Sequence, residues 1–124
     1  AQAKAHFDQA VEGLRRAGQQ DYLPRGLLAR AELRRVTKDF PGAERDLTEA
    51  LSIATRGGMR LHEADAHLGW ARLSLAQHNT TQAKESLDKA RRLIEATGYH
   101  RRDEALAELT SRLVAAEAFA TATP

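Results

Sequence analysis

Cysteine is absent from all 124 residues. Its absence removes any disulfide framework, any thiol nucleophile and any thiolate metal site. No run approaches the roughly 18 apolar residues that a membrane-crossing helix needs. Lys4, His6 and Asp8 interrupt the opening residues, so no secretory leader pattern stands there. These absences lead to the expectation of a cytoplasmic chain with no membrane contact. Neither sign of charge dominates: Lys and Arg total 19, Asp and Glu 17, and the formal net charge is +2. Acids are interleaved with arginines, as in Glu32 beside Arg34 and Arg35, or Glu44 beside Arg45 and Asp46. That mixture predicts solvated helix faces and not the single basic stripe of a nucleic-acid binder. The two-residue alternation of a half-buried strand is also missing over any useful length.

The residues that are present are helix formers. Ala, Leu, Arg and Glu dominate, with 42% hydrophobic and 29% charged residues, a balance that fits one globular domain. An apolar frame spaced four and then three recurs as Ala3-Phe7-Ala10, Ala43-Leu47-Ala50 and Ala83-Leu87-Ala90, each copy 40 residues after the last. Gly18, Gly58 and Gly98 follow at the same offset. Between them, Leu28-Ala31-Leu33 recurs as Leu68-Ala71-Leu73. Spacings of three and four place these residues on one face of a helix. The pattern predicts six helices, near 2–17, 23–37, 41–56, 60–77, 81–96 and 102–119. Pro24 and Pro41 suit first turns. Gly18, Gly57, Gly58 and Gly98 suit left-handed caps. Asn79, Thr80 and Thr81 offer capping oxygens. The fold expected is all-α: a solenoid of antiparallel helix pairs in one domain, 1–124, with units 1–20, 21–60 and 61–100 and a last helix over 101–120.

The stretch Ala31 to Ala50 resembles the tetratricopeptide repeat. Ala31 stands as the small residue of the first helix, Asp39 and Phe40 as the turn pair, and Ala43, Leu47 and Ala50 as the second-helix signature. Ala71, Asn79, Ala83, Leu87 and Ala90 repeat the set. The departures are a period of 40 where the family has about 34, Arg34 in place of an aromatic in the first copy, and no proline after the second helix. The surplus length falls around 56–61 and 97–102. The longer period is similar to the arrays of large bacterial multidomain signalling proteins, which implies a piece of such a protein. In this register the chain opens on a second-type helix and closes on a first-type one. The two ends are therefore expected to expose apolar stripes: Phe7, Val11 and Leu14 at one, and Leu106, Leu109 and Leu113 at the other. Arg102, Asp103, Glu104, Glu108 and Arg112 could instead make the last helix a polar cap.

The resemblance implies a right-handed superhelix whose concave wall, lined by first helices, binds extended peptides. Register places Arg25, Leu28, Glu32, Arg35 and Val36 on that wall from one copy, and Asp65, Leu68, Arg72, Leu75 and Ala76 from the next. Glu108 and Arg112 come from the last helix. The arginines could hold carboxylates in bidentate fashion, or pair with Glu32, Asp65 and Glu108. A protein-interaction scaffold or sensor, binding a peptide or partner domain, is the leading expectation. Homodimerisation through the terminal helices is second and arginine-mediated nucleic-acid binding third.

Catalytic patterns are not found. His62 and His67 are five apart and diverge by about 140° around a helix, so they do not reproduce the zincin H-E-x-x-H. Gly57-Gly58 has no Gly-Lys-Ser/Thr after it. Ser52, Ser74, Ser86 and Ser111 lie mid-helix in no elbow motif. His100 to Asp103 reads as a charged connector, and Trp70, the single tryptophan, as packing between repeats. The expectation is a non-enzyme without metal or cofactor.

Overall fold

The computed structural model describes residues 2–19 and 21–122. Ala1, Gln20, Thr123 and Pro124, which the expected domain includes, lie outside the described residues. Six helices follow one another: α1 (Gln2–Arg16), α2 (Leu23–Val36), α3 (Phe40–Arg56), α4 (Arg60–Ala76), α5 (Thr80–Thr97) and α6 (Asp103–Ala122). A single 3-10 turn, His100–Arg102, leads into α6, and there is no strand among the described residues. Pro24 and Pro41 occupy first turns as expected. Asp39 accepts the Gly42 amide at 3.1 Å, and Asn79 accepts that of Gln82 at 3.1 Å. Of the three oxygens offered to α5, Asn79 supplies the cap.

The helix ends show a shorter period than the side chains do. Left-handed backbone occurs at Gly18, Lys38, Gly58, His78 and Gly98, one every 20 residues. After each, the next amide reaches back five residues: Gln19 to Leu14, Asp39 to Arg34, Met59 to Ala54, Asn79 to Ser74 and Tyr99 to Ile94. This is the six-to-one bond of a Schellman cap. Gly57 is not left-handed, at φ −87°, contrary to expectation, because Gly58 supplies the turn. Lys38 and His78, with φ of 67° and 59°, carry a Cβ where glycine costs less. Lys38→Gly and His78→Gly should each stabilise by about 0.5–1 kcal/mol. The double variant should raise Tm by roughly 3–6 °C in a calorimetric scan. A lowered Tm would mean that these side chains contribute more than the strain they bear.

The helices form two layers. The backbones of α2 and α4, and of α4 and α6, are in direct contact. No such backbone contact links α1 to α3 or α3 to α5 among the described residues. The inner layer is therefore α2, α4 and α6. Leu68, Ala71, Ala83, Leu87 and Ala90 pack with Leu109 and Leu113. Ala31, Ala43, Leu47 and Leu73 form a second cluster, with Trp70 against it in the expected packing role. Val11 joins Leu23, Leu27, Ala50 and Ile53. Gly69 permits the approach of α3 to α4, since a Cβ there would sit 2.7 Å from Leu47 Cδ2.

The stripes expected to be exposed at the ends are instead turned to the core, apart from Phe7, which joins no core cluster. Val11, Leu109 and Leu113 are buried, while Phe7, Leu14 and Leu106 are half-buried. All but Phe7 face inward because an end helix still has a neighbour on one side. On α2 and α4 the side towards the following outer helix carries Leu28 and Ala31, then Leu68 and Ala71. The same positions on α6 are Glu108 and Ser111, both exposed.

One helix face was misread as solvated. Asp46 is only 2% exposed. It lies three residues after Ala43 and one before Leu47, within the apolar stripe of α3. Arg30 donates to both its oxygens, at 3.0 and 2.8 Å, and Arg34 Nη1 donates at 3.0 Å. Arg30 also donates to Asp8 of α1 at 3.1 Å. Asp8 is held below the usual carboxylate range, first by its bond from Lys4 and then by Arg30. Arg34 Nε is buried without a hydrogen bond and lies 3.7 Å from Asp39. In the second copy the same register holds Trp70, Ser74 and Ser86, with both serines buried. Arg30 is thus the register counterpart of Trp70.

Candidate functional site

The inner layer carries a groove with a volume of about 910 Å³. Seven of the twelve residues expected on the concave wall line it: Arg25, Leu28, Glu32, Arg35, Asp65, Leu68 and Arg72. Leu68 is almost fully buried and forms floor, with Leu47 and Leu73 beneath it. Leu75 does not line the groove, because it packs on the core beside Leu68 and Ala71. Val36, Ala76, Glu108 and Arg112 also lie outside the lining. The groove runs instead towards the start of α6, where Arg101, Arg102 and Ala105 border it.

Tyr22, Leu61, His62, Tyr99, Arg101 and Arg102 also line the groove, beyond the residues expected from register. Most come from the connectors around 56–61 and 97–102, where the surplus length of the repeat falls. That surplus is the signal that could have pointed to them. Tyr22 and Leu61 are exposed at 57% and 45%.

Two of the groove arginines are already paired. Arg35 Nε donates to Glu32 at 3.2 Å, and Arg102 Nε donates to Asp65 at 2.8 Å. The bond from Arg35 chiefly holds the Glu32 carboxyl below its usual range, with Arg72 and Arg112 adding to the effect. Tyr99 donates its hydroxyl to Asp65 at 3.3 Å, and the Arg102 guanidinium lies 5.3 Å from the Tyr99 ring centre. Burial, and then Asp65, raise the Tyr99 hydroxyl above its ordinary range. This triad ties the 3-10 turn to α4. No hydrogen bond or ion pair engages Arg25, Arg72 or Arg101 among the described residues, nor the lining acid Asp21. The groove thus offers three unpaired guanidinium groups above an apolar floor.

His67 is half-buried and outside the groove lining. Burial, with Lys89 and Arg92 nearby, pulls it down to about 4. It is a neutral packing residue, and it makes no hydrogen bond with Glu63. His100 holds Asp103 at 3.0 Å, which fits the charged-connector reading. Among the described residues no helix is long and apolar enough to cross a membrane. No protein-family model matches this chain, and no curated protein or solved structure matches it either.

Proposed function

We propose that this chain is a protein-binding helical-repeat module of the tetratricopeptide kind, which takes an extended peptide along the groove of its inner layer. The observation that carries the reading is the set of unpaired Arg25, Arg72 and Arg101 over the floor of Leu28 and Leu68. A pre-formed concave surface with few convergent polar groups is a general property of binding sites. Solenoids generally bind on their inner wall. Planar guanidinium groups recognise carboxylates with two parallel hydrogen bonds. The even distribution of acids over the rest of the chain argues against a nucleic-acid track.

The test uses a displayed library of random peptides, selected against the immobilised chain. Peptides recovered this way should perturb amide resonances of α2, α4 and the 97–102 connector. Arg72→Ala should weaken them by about tenfold, the loss of one charged hydrogen-bonded contact. Glu85→Ala, on the outer layer, should leave them unchanged. A footprint confined to α3 and α5 would sink the reading.

A further inference from the structure

The 40-residue register makes the two halves of the groove comparable, and they differ at one place. In the second half, Asp65 of α4 receives Arg102 from the following connector at 2.8 Å. Tyr99 donates to the same carboxylate. Forty residues earlier, the position of Asp65 is taken by Arg25, that of Arg102 by His62 and that of Tyr99 by Met59. By register two nitrogen donors stand where the second half has a donor and an acceptor, with His62 in the first turn of α4 and Arg102 in the 3-10 turn before α6. Both Arg25 and His62 line the groove. Neither has an ion-pair partner among the described residues, and the carboxylate that closes the second half has no counterpart in the first. Asp21, the nearest groove acid in sequence, makes no pair with Arg25.

We infer that the space between Arg25 and His62 is an anion subsite, and that its occupant is the carboxylate of a Glu or Asp side chain in a bound peptide. The ligand there supplies the acceptor that Asp65 supplies in the second half, receiving from Arg25 of α2 and from His62 in the first turn of α4. Exposed Tyr22 and Leu61 stand in the same lining and fit an apolar neighbour of that acid. A side-chain carboxylate is favoured over a nucleic-acid phosphate because the remaining groove is mixed. Glu32 and Asp65 both face it and would repel a polyanion along its length. This inference rests on the peptide-binding reading above and names what the peptide must carry.

The probes are the labelled peptide Gly-Ser-Glu-Leu-Glu-Ser-Gly and its counterpart with both Glu replaced by Gln, followed by fluorescence anisotropy and by amide shifts on the full chain. The acidic peptide should bind at least about tenfold more tightly than the amide form. Arg25→Ala and His62→Ala should each remove most of that difference while leaving the amide form's affinity unchanged. Arg25→Asp with His62→Arg rebuilds the closed pair of the second half. That variant should keep its helical spectrum and lose the acidic peptide. Equal affinity for both peptides, or a preference that survives Arg25→Ala and His62→Ala, overturns the subsite but leaves the groove reading in place. Failure of both peptides and of the displayed library would remove both. Arg25-dependent binding of single-stranded oligothymidylate in preference to the acidic peptide would replace the carboxylate with a phosphate and overturn the assignment.

Discussion

Asp46→Ser should cost about 3–5 kcal/mol, the range for leaving buried charge without its partner. Arg30 and Arg34 would keep their positions but lose the carboxylate that receives three of their donors. Asp8 alone cannot replace it, because it is partly solvated and shared with Lys4. The same principle predicts a rescue. A buried ion cluster can often be exchanged for well-packed neutral residues at no loss, and the second copy shows which residues fit that register. Arg30→Trp, Arg34→Ser and Asp46→Ser together reproduce Trp70, Ser74 and Ser86. The triple variant should return to within about 1 kcal/mol of the parent. Urea unfolding with both ΔG and slope fitted makes the comparison. If the single change costs under about 1 kcal/mol, the cluster is not desolvated as described. A triple variant no better than the single one would show that the two copies do not share interchangeable interiors.

The second large effect concerns α6. Leu109→Glu with Leu113→Glu should detach this helix or unfold the chain. Leu109 and Leu113 are 2% and 5% exposed and sit on Leu68, Ala71, Ala83, Leu87 and Ala90. Removing either side chain alone should cost about 2–5 kcal/mol. Placing carboxylates in the same apolar pocket adds the cost of desolvating charge. Two such changes rival the 5–15 kcal/mol that typically holds a domain together. Released from packing, α6 would lose the tertiary contacts from which most helical stability in proteins comes. Circular dichroism should therefore lose at least the share that α6 contributes. Val114→Glu, on the same helix but 59% exposed, is the control and should change little. A folded double variant with full helicity would refute the burial of this stripe.

These two predictions mark where the sequence was legible and where it was not. The helices could be read because apolar spacing and Gly and Pro punctuation act locally. Boundaries such as 23–37 and 60–77 fall within a residue of α2 and α4. Asp46 is not legible because charge in a sequence suggests water, and only partners 16 and 12 residues away on the adjacent helix reverse that inference. The signal was its register, inside the Ala43-Leu47-Ala50 stripe. The left-handed turns at Lys38 and His78 escaped because neither residue advertises that conformation. The groove was mostly legible, since the register carries Arg25, Leu28 and Glu32 to Asp65, Leu68 and Arg72. The far wall was not. The Tyr99–Arg102–Asp65 triad fixes the entry to α6 through contacts across 34 and 37 residues. It brings the first turn of α6 to the groove and leaves Glu108 and Arg112 beyond it.

The turn that recurs every 20 residues has a consequence for how such a chain tolerates change in length. The backbone repeats at twice the frequency of the side-chain pattern, so the main chain does not distinguish a wall helix from a backing helix. That assignment is written only in residues such as the Ala43-Leu47-Ala50 frame. Excising one helix with its turn would preserve every cap and every bend, yet would swap the two kinds of face for all that follows. Arginines of the groove would be driven into the interior, and alanine seams out into water. Excising two would shorten the array without a seam. The backbone counts in single helices, whereas a viable sequence can be edited only in pairs.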